Sequence, residues 1–288
     1  MTKADLYLIG NINEVLKNGF KDKNPRPKYS DGTPAHTLSI NQVVRTYNLE
    51  NNEFPICTLR PIAWKSAIKE ILWIYQKQTS SLDVLENDFN VNWWREWESK
   101  DVPGTIGQRY GATVRRYELI NKLIDDINND PYGRRKIVSL WQENDFNETD
   151  GLLPCAFLTM WNVRNVNNKE YLDMTLIQRS GDMLMASGAG GVNEVQYAAL
   201  LMMISRHCGL EAGKFVHFVQ NEQIYDRHLD GAMELKKRFT DYCEDEIRKT
   251  TFLTLNNDAN DFYKFTINDF VMNDYLPLKP QIHLDIGI

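Results

Sequence analysis

The sequence predicts a single α/β (α+β) domain that covers residues 1–288. Segments with apolar residues at helical spacing alternate along the chain with shorter apolar or alternating segments that are typical of strands. Hydrophobic residues make up 42% of the chain, which is enough for a sizeable core. No internal repeat, low-complexity segment or clear linker divides the sequence, so one domain is favoured over two.

The predicted elements follow from these patterns. Segment 194–207 is apolar nearly all round, which indicates a buried helix. The predicted helices cover residues 4–18, 63–76, 117–129, 194–207 and about 221–239. The predicted strands cover residues 38–49, 137–141, 156–163, 171–178, 214–220 and 281–288.

Composition and cysteine spacing exclude several classes of protein. The formal net charge of -6 does not favour non-specific binding of nucleic acid. The four cysteines are far apart and form no C-x-x-C pair, which argues against a zinc ribbon or a disulfide framework and for a reducing compartment. We see no signal peptide and no apolar run that approaches a membrane span, so a cytoplasmic protein is expected.

Residues 151–197 concentrate the side chains that can do chemistry. Two predicted strands and the start of an apolar helix lie here, and reactive groups follow the strand ends, where sites tend to be built. A thiol, a guanidinium, a hydroxyl, a carboxylate and a carboxamide come from Cys155, Arg179, Ser180, Asp182 and Asn193. This set predicts a site at which a thiolate attacks an anionic substrate with a planar polar ring.

Each of these residues also has a structural interpretation. Cys155 is a nucleophile if Arg179, one strand away, lowers its pKa, and otherwise it is an inert packing residue. Asn193 offers a donor and an acceptor to a ring edge, or it caps the following helix. Asp182 holds a ring or a cofactor amine, or it caps a turn.

Further candidates lie outside this stretch. Three cations at 134–136 stand between a turn and a strand and suit a phosphate monoester, although a solvated charge run is an equal alternative. The early-loop cations Arg26 and Lys28 could contact an anion but are more often solvated. The tryptophans of 91–97 form either a core plug or a wall for a stacked ring. Helical phase favours the wet face for Glu70 over a buried functional position.

The chain resembles the folate-dependent thymidylate synthases over nearly its whole length. Any one of the matching motifs is weak, but their number and order are specific. They stand at 30–37, 69–73, 94–97, 134–135, 154–155, 178–182, 193 and 224–225. The resemblance implies a thymidylate synthase-like fold, in which helices flank a large mixed twisted sheet. It also implies one-carbon transfer to C5 of dUMP from 5,10-methylenetetrahydrofolate, without a metal.

For catalysis, the resemblance implies that Cys155 adds to C6 of the pyrimidine and that Arg179 helps to activate the thiolate. Glu70 would organise water and proton transfers, and Tyr110 would orient groups near the sulfur. Asn193 would read uracil and so select dUMP. Covalent addition makes C5 nucleophilic, which splits one hard step into easier ones.

For binding, the resemblance implies a set of contacts to each part of the two substrates. The phosphate would be bound by Arg26, Arg179 and Ser180, and by Arg134 and Arg135 reaching across the interface of an obligate homodimer. The ribose would contact Gln223 and Tyr225. The folate would contact Arg60 at its glutamate tail, Trp94 and Trp97 as a wall, Asp182 at the pterin, and Ile288 as a closing terminus.

Three departures from the family pattern leave an alternative open. Ala156 and Gln223 stand where histidines are common, and segment 186–193 is about three residues longer than usual. Extra glycine and serine there could admit water to the reactive methylene, which would make the enzyme a dUMP hydroxymethylase. Methylation is favoured. A non-catalytic nucleotide- or RNA-binding relative and a cysteine hydrolase are the remaining alternatives.

Overall fold

A computed structural model describes residues 1–243 and 251–287 of the chain. Its helices are α1 (Lys3–Asn18), α2 (Trp64–Ile71), α3 (Leu82–Phe89), α4 (Gly111–Arg116), α5 (Leu119–Asn129), α6 (Glu143–Glu148), α7 (Val192–His207) and α8 (Leu229–Cys243). Its strands are β1 (Phe20–Lys21), β2 (Thr37–Asn48), β3 (Lys136–Ser139), β4 (Ala156–Val166), β5 (Lys169–Gln178), β6 (Gly181–Asp182), β7 (Glu211–Tyr225), β8 (Phe252–Leu255) and β9 (Phe270–Asn273).

Seven strands form one large mixed sheet. The order is β1-β2-β7-β5-β4-β3, and the short strand β6 pairs with β7. β5 and β6 run parallel to β7, whereas the other pairs are antiparallel. The parallel β5–β7 pair needs a crossover connection, and α7 lies within that connection. The predicted mixed sheet with flanking helices is therefore observed.

One face of the sheet is covered by helices. α7 is apolar on all sides because it is enclosed: it packs against α2 on one side and against β5 and β7 on the other. Side chains of the sheet that point towards the helices are fully buried, among them Tyr47, Leu172, Leu176 and Phe215. No helix in the described ranges is long and apolar enough to cross a membrane.

The opposite face of the sheet is open and largely apolar. The strand registers align two rows of side chains across it. The first row contains Ile137, Met160, Thr175, Val216 and Thr46, and the second contains Leu158, Ile177, Phe218 and Val44. Ile137 is 55% exposed and Val44 is 54% exposed, which is unusual for apolar residues on a central sheet.

Two predicted elements are wrong. The segment from Asn221 continues as strand, because β7 pairs with β2 on one side and β6 on the other as far as Tyr225; the helix begins only at Leu229. Residues 281–287 form no strand. The apolar side chains of Ile282 and Leu284 instead lie over Gly231 of α8. The alternating pattern that predicted a strand is therefore explained by the packing of every second side chain on this helix.

Candidate active site

Cys155 and Arg179 are brought together by the β4–β5 pair. Cys155 directly precedes β4, Arg179 directly follows β5, and the backbone N–H of Arg179 donates to the carbonyl of Cys155 at 2.9 Å. The guanidinium folds back over the same turn. Its Nε donates to the carbonyl of Pro154 at 3.0 Å, and its Nη2 donates to the carbonyl of Leu153 at 2.8 Å and lies 3.5 Å from Cys155 Sγ.

The thiol of Cys155 experiences two opposed effects. Burial raises its pKa above the usual range, because a thiolate loses hydration there, and this effect is the larger one. The positive charges of Arg179 and Arg26 lower the pKa in part. The pKa of the thiol is therefore raised overall, although two cations favour its ionised form. The charge of Arg26, a residue predicted from the early loop, thus acts on the sulfur.

Asn193 lies in a chain of polar side chains rather than at a helix cap. Gly191 is the N-cap of α7, so the N-cap interpretation of Asn193 is wrong. Its Oδ1 accepts from Ser187 Oγ at 2.9 Å and from Gln178 Nε2 at 3.3 Å. Its Nδ2 donates to Gln196 Oε1 at 3.1 Å. The carboxamide is therefore held in one orientation at the start of a buried helix.

The predicted ribose and phosphate residues cluster at the β6–β7 pair. Ser180 Oγ donates to Gln223 Oε1 at 3.4 Å. Burial raises the pKa of Tyr225 to about 12, while hydrogen bonding to Gln223 and the charge of Arg26 oppose the rise. The charge of Arg26 therefore lowers the pKa of both the Tyr225 phenol and the Cys155 thiol.

Glu70 is buried, so the wet-face prediction from helical phase is wrong. The side chain faces inward from α2 and accepts a hydrogen bond from the indole N–H of Trp93. Burial raises its pKa, and the polar side chains of Gln196 and Trp93 oppose the rise. A carboxyl with a raised pKa in an enclosed position is suited to proton transfer. Trp93 belongs to the tryptophan group predicted at 91–97, but its hydrogen bond to Glu70 was not predicted, and Gln196 was not singled out by the sequence.

An aromatic cluster lies next to this carboxyl. The ring of Trp94 contacts Tyr110, Trp97 and Trp73 at centroid distances of 5.1, 5.7 and 6.2 Å. Trp94 is buried and Trp97 is half-buried, so the tryptophans are core on one side and a surface on the other. Burial raises the pKa of Tyr110 well above its usual value, and a hydrogen bond from the Cys155 backbone opposes the rise.

Asp182 caps a turn and also faces an imidazole. Its Oδ1 accepts from the backbone N–H groups of Leu184 and Met185 at 3.0 and 3.2 Å, as the turn-cap interpretation predicts. Its Oδ2 lies 3.7 Å from Nδ1 of His228, a buried residue that sequence analysis missed. The carboxylate remains partly exposed, with 18% of its side chain accessible, so a ligand can still reach it.

Arg60 is buried beside the same turn. Its Nη2 donates to the carbonyl of Met185 at 3.5 Å, and burial lowers its pKa. Its Nε has no hydrogen-bond partner among the residues that the structure describes. An orphaned buried donor of this kind is rare in folded proteins and is consistent with a ligand contact.

Arg134 and Arg135 do not join the cluster around Cys155. Both side chains are exposed at the start of β3, the edge strand, and within residues 1–243 and 251–287 neither forms an ion pair. Lys136 differs, because it is buried and its Nζ donates to the carbonyl of Gly133 at 2.6 Å. Ile288 lies outside the described residues.

The long segment near Asn193 is buried and anchored. Residues 187–191 are all enclosed, and Gly190 (φ +68°) packs against the backbone of Cys57. Arg45 Nη2 donates to the carbonyl of Ser187 at 2.8 Å, and the N–H of Gly190 donates to Glu194 Oε2 at 2.7 Å. In the described part of the chain, no group of three or more metal-binding side chains was found.

The sequence profile of one protein family, described as Thymidylate synthase, matches residues 7–288. The chain belongs to the thymidylate synthase family. Thymidylate synthases of Streptococcus pneumoniae (strain 70585) and Streptococcus gordonii (strain Challis) are 48% and 47% identical to it over 289 residues, which is 100% of this chain and of each relative. The thermostable thymidylate synthase A from Bacillus subtilis covers 99% of this chain and of its own, with a TM-score of 0.85 and 31% identity.

These matches confirm the predicted family and the predicted fold class. In this member of the thymidylate synthase family, the mixed sheet places Cys155 and Arg179 at the ends of the neighbouring strands β4 and β5. The roles of individual residues remain predictions.

Proposed function

We propose that this chain converts dUMP and 5,10-methylenetetrahydrofolate to dTMP and dihydrofolate, with Cys155 as the covalent nucleophile. The proposal depends on family membership over the full length and on one observation: Arg179 Nη2 lies 3.5 Å from Cys155 Sγ. A guanidinium at this distance stabilises the thiolate that the reaction needs. Burial raises the pKa of this thiol, and the charges of Arg179 and Arg26 oppose the rise.

The proposed reaction proceeds through a covalent bond between Cys155 and dUMP. The Cys155 thiolate forms a bond to C6 of uracil, and the electron pair of the C5–C6 double bond moves towards C5 and O4. C5 then forms a bond to the methylene carbon of the folate while the bond of that carbon to N10 breaks, and C5 loses its proton to water. The bond of that carbon to N5 breaks next, which releases tetrahydrofolate and leaves a methylene group on C5; transfer of a hydride from tetrahydrofolate to this group gives the methyl group and dihydrofolate. Expulsion of the thiolate restores the double bond. The folate, a co-substrate, supplies both the carbon and the hydride that reduces it.

The dUMP subsite is assigned to residues that already face each other. Arg26, Arg179 and Ser180 bind the phosphate, and Gln223 and Tyr225 contact the ribose. Asn193 reads the ring: its Oδ1 accepts from N3–H, and its free Nδ2 proton is donated to O4. Glu70, buried and with a raised pKa, exchanges protons through water near the ring. Tyr110 orients groups near the sulfur.

The residues assigned to folate fit an aromatic, anionic co-substrate. Trp94 and Trp97 present a partly covered aromatic surface against which a pterin ring can stack. Asp182 accepts from the pterin, and the unpartnered Nε of Arg60 makes it available to a glutamate carboxylate. The proposal also retains Ile288 as the residue that closes over the bound pair.

We assign the open sheet face to a homodimer interface. Its two apolar rows run across five strands, and an open apolar face of this size is a typical site of self-association. Arg134 and Arg135 stand at the end of this face, exposed, beside Ile137 of the first row. In a two-fold dimer they reach the phosphate site of the partner subunit.

The structure gives the alternatives less support than methylation. The hydroxymethylase alternative required segment 186–193 to open the pocket to water, but residues 187–191 are buried and held by Arg45 and Glu194. A cysteine hydrolase needs an imidazole at the sulfur. Among the described contacts, Cys155 Sγ is hydrogen-bonded by Arg179 and by no histidine.

The proposal is tested by mass analysis of the nucleotide formed from dUMP and methylenetetrahydrofolate. We expect a product heavier than dUMP by one CH2, together with the absorbance rise of dihydrofolate. The Cys155→Ala variant is expected to form neither. A product heavier by CH2O, with tetrahydrofolate released, would establish the hydroxymethylase instead, and turnover by Cys155→Ala would exclude the covalent mechanism.

A further inference from the structure

A buried polar cluster lies behind Asn193, and the reaction chemistry does not use it. Four charged or titratable side chains form it, and each of them is fully buried: Arg45 on β2, Glu194 on α7, and His217 and Glu222 on β7. Arg45 Nε donates to Glu194 Oε1 at 2.6 Å, and Arg45 Nη1 donates to Glu222 Oε1 at 2.6 Å. Burying charged groups costs desolvation free energy, and these groups offset that cost by pairing with one another.

The cluster reaches the active site through His217 and Gln178. Gln178 Nε2 donates to the carbonyl of Ser180 at 3.0 Å, and a carbonyl can only accept, so the orientation of the Gln178 amide is fixed. Its Oε1 therefore faces His217 Nε2, at 3.0 Å. The proton of the imidazole must then reside on Nε2. With the proton on Nε2, Nδ1 accepts from Arg45 Nη2 at 2.9 Å. Nδ1 also lies 3.0 Å from Glu194 Oε1, and that oxygen accepts its hydrogen bond from Arg45 Nε at 2.6 Å.

The imidazole is held in its neutral form. Burial and the adjacent charge of Arg45 lower the pKa of His217 to about 4, although Glu194 opposes the shift. A neutral ring has one donor and one acceptor, and both are in use. Because Arg45 occupies the acceptor Nδ1, the His217 proton stays on Nε2, and His217 is therefore always the donor to Gln178.

The same direction continues to Asn193. Gln178 Nε2 donates to Ser187 Oγ at 2.7 Å, so the Ser187 hydroxyl proton is free to be donated to Asn193 Oδ1, at 2.9 Å. Arg45 also holds the Ser187 backbone. The chain of donors thus runs from His217 through Gln178 and Ser187, and it determines which atom of the Asn193 carboxamide is the acceptor.

The orientation of this carboxamide decides which pyrimidine it can pair with. Uracil presents a donor at N3 and an acceptor at O4, whereas cytosine presents an acceptor at N3 and a donor at N4. A carboxamide rotated by half a turn offers the pattern that fits cytosine. We propose that His217 is a specificity-determining positioning residue, which holds Asn193 in the orientation that selects dUMP over dCMP. This inference rests on the proposed function, because it takes Asn193 as the residue that contacts the ring.

The test compares the preference for dUMP over dCMP in matched variants. His217→Phe removes the donor to Gln178, and His217→Gln keeps an N–H group. Leu176→Ala is the control, since Leu176 is fully buried on the same face of β5 as Gln178 and belongs to none of these hydrogen bonds. Affinity for each nucleotide is measured by calorimetry, and kcat/KM is measured where there is turnover.

We expect His217→Phe to lower the dUMP/dCMP preference about 10-fold or more, since hydrogen-bonding discrimination of this size is lost with one misdirected amide. His217→Gln should recover part of the preference. Leu176→Ala should lower the melting temperature and leave the preference unchanged. An unchanged preference in His217→Phe, with activity reduced as in the control, would overturn the inference and leave the proposed function intact. If the wild-type chain does not bind dUMP, both fail.

A second variant and a spectrum cover the case in which His217→Phe does not fold. Ser187→Ala removes only one hydroxyl, and we expect it to lower the same preference several-fold. In the wild-type protein, the 15N spectrum of labelled histidine should show a neutral ring with the proton on Nε2, assigned by its loss in His217→Gln. A proton on Nδ1, or an unchanged preference in Ser187→Ala, would contradict the proposed direction.

Discussion

At the scale of single residues, the site is governed by the competition between burial and charge at Cys155. Burial raises the pKa of the thiol, and the guanidinium groups of Arg179 and Arg26 lower it. Arg179 is also held by the carbonyls of Leu153 and Pro154, so its position does not depend on a bound anion. The activating charge is therefore present before substrate arrives, which is an example of preorganisation.

This competition predicts how fast the sulfur reacts in the free enzyme. The rate of alkylation of Cys155 by iodoacetamide should still be increasing above pH 9, because the thiol pKa is raised. Arg179→Ala removes a cation that favours the thiolate, so the profile should move to higher pH and alkylation at pH 8 should slow about tenfold. The extent of modification is measured by mass spectrometry of the Cys155 peptide.

Arg164→Ala is the matched control for this measurement, since Arg164 lies on β4 and pairs with Glu50 and Asp173 instead. It should leave the pH profile of alkylation unchanged. A profile in Arg179→Ala that coincides with that of the wild type would show that Arg179 does not act on the sulfur.

At the scale of elements, the segment between β6 and α7 is a rigid part of the core. It is enclosed, and its one residue with a positive φ angle, Gly190, has no room for a side chain. A Cβ at Gly190 would lie 2.2 Å from the backbone nitrogen of Cys57. The additional length of this segment therefore fills space beside Asn193 with protein.

Three glycine substitutions separate strain from contact. Gly190→Ala combines a left-handed backbone with a backbone clash, and we expect it to lower the free energy of unfolding by about 3 kcal/mol or more. Gly209→Ala has the positive φ angle without any near atom, and it should cost about 1 kcal/mol. Gly10→Ala lies in open space within α1 and should add about 0.5–1 kcal/mol.

These free energies are measured by urea denaturation at one fixed protein concentration. Gly190→Ala and Gly209→Ala variants of equal stability would contradict the close packing described for the segment.

The elements also show what could be predicted from the sequence. Local periodicity located β4, β5 and α7, because each has one consistent environment along its length. The sequence predicted an exposed position for Glu70, because the helical pattern puts it on the polar side of α2, but that side of the helix is also buried. Arg45 was not singled out, since a charge within a strand usually faces water. Glu194 and Glu222, 149 and 177 residues away, make its burial possible, and a local pattern contains no sign of those pairings.

At the scale of the whole molecule, the proposed site is divided between two chains. Cys155, the proposed nucleophile, precedes β4, and Asn193, the proposed ring-binding residue, lies on α7, which covers one face of the sheet; Arg134 and Arg135 are exposed at the edge strand β3. Within one chain the two arginines contact no acidic group among the described residues, so a second copy is the proposed origin of their partner.

This division predicts complementation between inactive subunits. Cys155→Ala alone and the double variant Arg134→Ala/Arg135→Ala alone should each have little activity. Mixed dimers contain one site with both an intact Cys155 and arginines from the other subunit. An equal mixture should therefore regain about a quarter of wild-type activity, because half the dimers are mixed and each has one working site. Activity is measured as dTMP formed after subunit exchange.

Glu70→Gln mixed with Cys155→Ala is the control, because both changes lie in the part of the site that a single subunit provides. That mixture should stay inactive. Equal recovery in the two mixtures would mean that Arg134 and Arg135 act within their own subunit.

The pairing of β2 with β7 has a consequence for how the protein is made. Arg45 and His217 are 172 residues apart, which at ~5–20 residues per second is roughly 10–30 s of synthesis. For all of that time β2 has left the ribosome without β7, and Arg45 lacks Glu222 throughout and Glu194 for the first 149 residues. The sheet is completed only when the last third of the chain appears. The nascent chain must therefore avoid aggregation while β2 is unpaired with β7.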